Sequence, residues 1–148
     1  MTRLIVFDLD GTLALGHHRE HHLRAEPKNW LAYFDACGDD APNPPIVLAY
    51  EALYGWPDHR VEIWTGRVDS HERQTREWIA EHLLFEPDAL RMRLAGDRTN
   101  DDELKRAWLH EERARGNEVA LVFEDRARVV AMWRAEGVTC AQVAPGEF

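Results

Sequence analysis

The chain has 148 residues, 45% of them hydrophobic and 30% charged, with a formal net charge of -9. That length supports the core of one domain without disulfide or metal staples, and the composition excludes a disordered or low-complexity chain. No apolar run approaches the roughly 20 residues of a membrane span, a charge comes too early for a signal peptide, and the acidic balance argues against a groove binder, so a cytoplasmic end-processing enzyme stays open.

The first element is an apolar, β-branched run at 4–7, short enough for a buried strand. The polar, histidine-rich segment 16–45 follows, with one short helix expected at 29–36. It reads as an insert, either a lid or substrate-facing cap or a plain surface loop. Helical and strand patterns then alternate: helix 46–54, strand 61–64, helix 69–84, strand 90–94, helix 101–115, strand 119–123, helix 127–136 and strand 138–143. Gly116 and Gly137 stand where helix C-caps belong. Such alternation implies right-handed crossovers and a mainly parallel sheet covered on both faces. The expectation is a doubly wound, Rossmann-like α/β fold, a single domain over 1–148 with 16–45 as a small helical cap.

The chemistry concentrates at strand ends. Phe7-Asp8-Leu9-Asp10-Gly11-Thr12-Leu13 directly follows the first strand, which places Asp8 at the edge of the ligand crevice. Asp8 can attack phosphorus while Asp10, across the turn, protonates the leaving oxygen and then activates water. Gly11 permits a sharp turn, and the Thr12 region offers N–H groups and a hydroxyl. An Asp-x-Asp-Gly run also occurs in turns and calcium loops, but no further spaced ligands follow it here.

This first motif resembles that of the haloacid dehalogenase superfamily of aspartate-nucleophile phosphatases, which implies three more. Thr65-Gly66-Arg67, after the strand at 61–64, resembles the second, with the Thr65 hydroxyl and Gly66 N–H on phosphoryl oxygens; a strand-end Thr-Gly is also common turn chemistry. Lys105 is the candidate for the third, a cation balancing Asp8 and the phosphate, against the reading of an exposed helix lysine. Glu124-Asp125, after the strand at 119–123, resembles the fourth, the acidic pair. The resemblance implies Mg²⁺ held by Asp8, the Asp10 carbonyl and Asp125, with Glu124 as an outer ligand or orienting a water.

Most of the chain also resembles the C-terminal 3′-phosphatase domains of bacteriophage polynucleotide kinase/phosphatases. The similarity lies in Leu13-Ala14-Leu15, Cys37 before Asn43-Pro44, Met92-Arg93, Asp101-Asp102 and the Met132-Trp133-Arg134, Gly137-Val138-Thr139-Cys140 and Gln142-Val143-Ala144 pieces of the tail. It implies that Arg19, Arg67, Asp101 and Lys105 serve phosphatase activity, with both arginines gripping the phosphoryl group. The phage domains carry two aspartates where this chain has Glu124-Asp125. No Gly-x-x-x-x-Gly-Lys-Ser/Thr loop occurs, so any kinase or ligase partner would be another polypeptide.

His17, His18, His21 and His22 include two pairs four apart, a zinc-compatible spacing on a helix, although lining the phosphate entrance or plain exposure reads better. Trp30 reads as packing under the lid and Tyr33 is left open between packing and stacking on a base. Trp56, Trp64, Trp78, Trp108 and Trp133 read as core or helix–sheet contacts, Cys37 and Cys140 as core, and Glu111-Glu112-Arg113 as a solvated helix face. The leading functional reading is a polynucleotide 3′-phosphatase acting on DNA or RNA ends. Its competitors are a phosphatase of free nucleotides or small phosphomonoesters and a non-catalytic module that binds phosphorylated ends.

Overall fold

The computed structural model describes residues 1–147. In chain order the strands are β1 (Arg3–Phe7), β2 (Ala14–Leu15), β3 (Ala41–Pro42), β4 (His59–Val68), β5 (Ala89–Arg93), β6 (Glu118–Glu124) and β7 (Cys140–Gln142). The helices are α1 (His21–Arg24), α2 (Trp30–Asp35), α3 (Pro44–Leu53), α4 (Glu72–His82), α5 (Asp101–Ala114) and α6 (Ala127–Ala135). One sheet has the order β5-β4-β1-β6-β7 with every pairing parallel. The α/β doubly wound expectation is met, and β1 lies at the centre.

Strand period places alternate residues of β1 on opposite faces. Leu4 and Val6 join Trp64, Leu109, Val129 and Trp133 in one buried cluster. Ile5 and Phe7 join Tyr50, Val61, Ile63, Trp78 and Ile79 in the other. Helices α5 and α6 therefore cover one face and α3 and α4 the other, and a strand buried on both sides reads as a continuous apolar run. Gly116 and Gly137 adopt φ +81° and +79° just past α5 and α6, the left-handed conformation of a helix stop.

Several boundaries differ from the sequence reading. β4 runs from His59 to Val68, because its pairing with β5 resumes at Val68 after an irregularity that begins at Thr65. Thr65 is therefore inside the strand, not at its end. The last strand shrinks from 138–143 to Cys140–Gln142. A 3₁₀ turn, Asp69–His71, precedes α4 where the helix was expected to begin. The insert holds two short α-helices, α1 and α2, instead of one, flanked by 3₁₀ turns and tied at its base by the antiparallel β2–β3 pair. Trp56 is 57% exposed and not a core contact, and Glu112 is buried, accepting from Arg115 Nη1 at 2.7 Å and Asn117 Nδ2 at 2.8 Å, so that part of the supposed solvated face is structural. Cys37 and Cys140 are free and buried, as read. No helix among the described residues is long and apolar enough to cross a membrane.

Candidate active site

Asp8 follows the last residue of β1, and its N–H donates to the Phe123 carbonyl of β6 at 2.9 Å, so it stands at the carboxyl edge of the central strand. The next residues close a tight loop, with the Leu9 carbonyl accepting from the N–H groups of Thr12, Leu13 and Ala14 at 3.2, 3.0 and 2.9 Å. Gly11 has φ +81°, and a Cβ there would overlap the Asp125 carboxylate. Only glycine meets both requirements. Thr12 Oγ1 donates to Asp8 Oδ2 at 3.2 Å, and Lys105 Nζ donates to Asp8 Oδ1 at 2.8 Å.

Lys105 is 1% exposed, which settles its reading against a surface lysine. Its ammonium also donates to Glu124 Oε2 at 2.8 Å and lies 3.4 Å from Asp101 Oδ2, one helical turn earlier on α5. Asp101 is seated by Gly66, where a Cβ would overlap its Oδ1. Arg93, given no role by the sequence reading beyond its place in the Met92-Arg93 resemblance, pins this corner by donating from Nε to the Gly66 carbonyl at 3.0 Å and from Nη1 to the Thr99 carbonyl at 2.5 Å. The Thr65 hydroxyl is fully buried and accepts from the Arg67 N–H at 3.1 Å, leaving its own O–H to donate elsewhere.

Asp10 belongs to a second cluster. Arg67 donates to its two oxygens from Nε at 3.1 Å and from Nη2 to Oδ1 at 2.8 Å, and Arg19 Nη2 donates to the same Oδ1. Both guanidiniums are fully buried and share a further carboxylate, Asp40, which accepts from Arg19 Nε at 2.7 Å, Arg19 Nη2 at 2.6 Å and Arg67 Nη2 at 3.0 Å. The insert thus supplies Arg19 and Asp40 to a network completed by Arg67 of β4. Sequence reasoning missed Asp40. The available signal was charge balance: two arginines carried into an interior require two carboxylates. Burial raises the Asp10 carboxyl's pKa, but Arg67 and Arg19 outweigh it and hold the group at about 2.

Asp8, Glu124 and Asp125 bring one oxygen each to within 4.8 Å of one another. Burial, with Glu124 next, pushes Asp8 up, and burial with Asp8 beside it pushes Asp125 up to about 7. Lys105 also moves up, because Asp101, Asp8 and Glu124 outweigh its burial. One ammonium thus serves more carboxylates than it can neutralise, which suits a hard divalent cation with oxygen ligands. Glu124 spends Oε2 on Lys105 and Oε1 on the N–H groups of Asp125 and Arg126, at 3.2 and 3.3 Å. Those bonds occupy both Glu124 oxygens and brace the backbone that carries Asp125.

The histidine segment does not form a metal cluster with neighbouring cysteines or acids: the sole candidate group among the described residues is the carboxylate trio. His18 instead bonds Asp40 Oδ1 at 2.8 Å and His17 bonds Glu20 Oε1 at 3.0 Å. Tyr33 packs its ring 4.1 Å from the Arg19 guanidinium, whereas Trp30 is 51% exposed, contrary to its reading as packing.

A viral protein of Autographa californica nuclear polyhedrosis virus, named a bifunctional polynucleotide kinase/RNA ligase, is 29% identical over 133 residues, covering 89% of this chain and 18% of that protein. A chain of the Pnkp1/Rnl/Hen1 RNA repair complex superposes with TM-score 0.83 at 26% identity, over 100% of this chain and 44% of that one. This chain therefore spans less than half the length of either relative. A haloacid dehalogenase-like hydrolase from Streptococcus pneumoniae shares the fold, with TM-score 0.62 at 16% identity over 95% of this chain and 84% of that one. Residues 2–148 match the family described as the polynucleotide kinase PNKP phosphatase domain. The chain belongs to that haloacid dehalogenase-type phosphatase family and is a phosphoric monoester hydrolase.

Proposed function

We propose that this chain removes 3′-terminal phosphates from DNA or RNA ends through an aspartyl-phosphate on Asp8, with Mg²⁺ as cofactor. The observation that carries the chemistry is Asp8 itself, buried at the end of the central strand with one oxygen on Lys105 and the other on Thr12. The 3′ end of a polynucleotide is supported by the family and by the insert, which brings Arg19 and Asp40 onto the Asp10 side of the site.

An Asp8 oxygen forms a bond to phosphorus as the bond to the leaving 3′-oxygen breaks, and Asp10 gives that oxygen a proton. Asp10 then takes a proton from a water that attacks the same phosphorus, and breaking the Asp8–phosphorus bond releases inorganic phosphate. At rest, Asp10 is a carboxylate held by two arginines, poorly suited to donate. A phosphate dianion competes for the same guanidiniums. As Arg19 and Arg67 turn to its oxygens, Asp10 loses its cations while its burial remains, and its proton affinity rises. Lys105 offsets charge on Asp8 and the phosphoryl group, and the Thr65 hydroxyl and Gly66 N–H can donate to the transferring oxygens. Asp101 positions Lys105. Asp8, the Asp10 carbonyl and Asp125 would hold Mg²⁺, which when bound neutralises phosphoryl charge and fixes the phosphate beside the nucleophile. The Pnkp1/Rnl/Hen1 RNA repair complex supports a separate kinase or ligase polypeptide as working partner.

The test is phosphate release from matched 3′- and 5′-phosphorylated strands, 3′-mononucleotides and a simple aryl phosphate, with and without chelator. The expected result is a Mg²⁺-dependent preference for the 3′-phosphorylated strand. Asp8→Asn should fold and lose nearly all turnover. Equal rates on both ends, or faster turnover of a non-nucleotide ester, would remove the polynucleotide assignment.

A further inference from the structure

The insert exposes an aromatic surface beside the phosphate site that the chemistry above leaves unused. Tyr33 and Phe34 follow Trp30 by three and four residues, one turn on along α2, on its side of the helix. Tyr33 meets both Trp30, edge-on at 6.0 Å, and Phe34 at 5.4 Å between centroids. The inner part of this face is committed, since Tyr33 lies against Arg19 and Phe34 lies 5.8 Å from the His71 ring of the core. Trp30 at the outer end keeps half its surface in water, and Leu31 beside it is 67% exposed. A flat indole held by neighbours on one side and open on the other is an interaction surface.

Its position identifies the occupant. Trp30 is one ring contact from Tyr33, which packs on Arg19, and Arg19 holds Asp10. With a terminal phosphate on Asp8, this places Trp30 within reach of the first one or two nucleobases behind it. A local charge favours the same ligand. The Lys28 ammonium lies 5.9 Å from the Trp30 ring, a local cation in an insert where Glu20, Glu26, Asp35, Asp39 and Asp40 otherwise outnumber Arg19, Arg24 and Lys28. A flat apolar ring beside a cation can hold a single strand without reading its sequence, through base stacking and local backbone attraction.

We infer that Trp30 is a stacking platform for a base at the 3′ end of the bound strand, which sets the preference for polynucleotide ends over base-free phosphate esters. This rests on the 3′-phosphatase reading. The platform acts mainly on binding, because it touches neither phosphorus nor the leaving oxygen, so its loss should appear in KM more than in kcat.

The experiment measures kcat and KM on a 3′-phosphorylated oligonucleotide, on its 5′-phosphorylated isomer and on the 3′-phosphorylated strand made abasic at its last two positions, for the parent enzyme and for Trp30→Ala, Trp30→Phe and Trp56→Ala. The parent should favour the strand with bases by about 5- to 100-fold in kcat/KM, the range of one base–aromatic stack. Trp30→Ala should erase that advantage through KM, Trp30→Phe should keep most of it, and Trp56→Ala, exposed on another part of the surface, should keep all of it. If the parent prefers 3′ to 5′ ends but Trp30→Ala retains the advantage, or loses it equally in kcat, the stacking platform is refuted and the 3′ assignment stands. If the parent shows no 3′ preference, both fall.

Discussion

Asp10 and Asp40 illustrate how a site can be made of charges that cancel. Arg19 and Arg67 are both fully buried, and each is neutralised by the same two carboxylates. Removing one partner leaves an uncompensated interior charge, which typically costs about 3–5 kcal/mol. Asp40→Asn should therefore lower stability by that order in denaturant unfolding. It should also reduce turnover by at least ~100-fold, since Arg19 and Arg67 lose their common anchor. Asp10 carries a pH signature as well. Its folded pKa of about 2 lies below the ordinary carboxylate range, so its contribution to stability is complete above about 4 and lost as pH falls toward 2. Asp10→Asn should flatten that acid limb in a plot of unfolding free energy against pH; an unchanged limb would show that other carboxylates set it.

At the scale of elements, Gly66 in β4 and Asp101 at the start of α5 meet so closely that the strand limits where the helix can stand. Gly66→Ala should push Asp101 aside and loosen the seat of Lys105, lowering kcat about 10- to 100-fold while circular dichroism stays native. Native activity in this variant would show that the seat of Lys105 does not depend on the contact. These elements also mark what could be read beforehand. Asp8 and Glu124-Asp125 were legible because each ends a patterned run that fixes its position in the sheet, and Lys105 because it lies in the first turns of a patterned helix. Asp40 was not, since it sits in a loop with no period, where only three-dimensional charge balance distinguishes it from a surface residue, and the role of Arg93 was not, since no pattern in the strand at 90–94 shows that its guanidinium reaches the Gly66 and Thr99 carbonyls. Trp30 and Trp56 were misread because aromatic character announces burial, whereas a residue starting a six-residue helix, or standing between elements, can face outward. Thr65 was placed at a strand end because no pattern marks the irregularity through which β4 continues to Val68.

For the whole molecule, a cation held among the carboxylates around Asp8 would couple folding to its binding. A ligand that binds only the folded state stabilises it in proportion to the logarithm of its saturation. Millimolar Mg²⁺ should raise Tm by several degrees, and Asp125→Ala should abolish most of that rise; an equal rise in the variant would move the cation elsewhere. The placement of β1 has a further consequence. Its two neighbours are β4, paired from Arg3 with His59, and β6, paired from Arg3 with Glu118, so the strand leading into Asp8 is made before both its partners and completed late. Such long-range pairing slows folding, because the loop must close before its contacts form. During synthesis, Leu4, Ile5, Val6 and Phe7 keep one edge uncovered until β6 has emerged. Catalysis must wait for that strand, and until then an apolar ribbon with an open edge is exposed to mispairing.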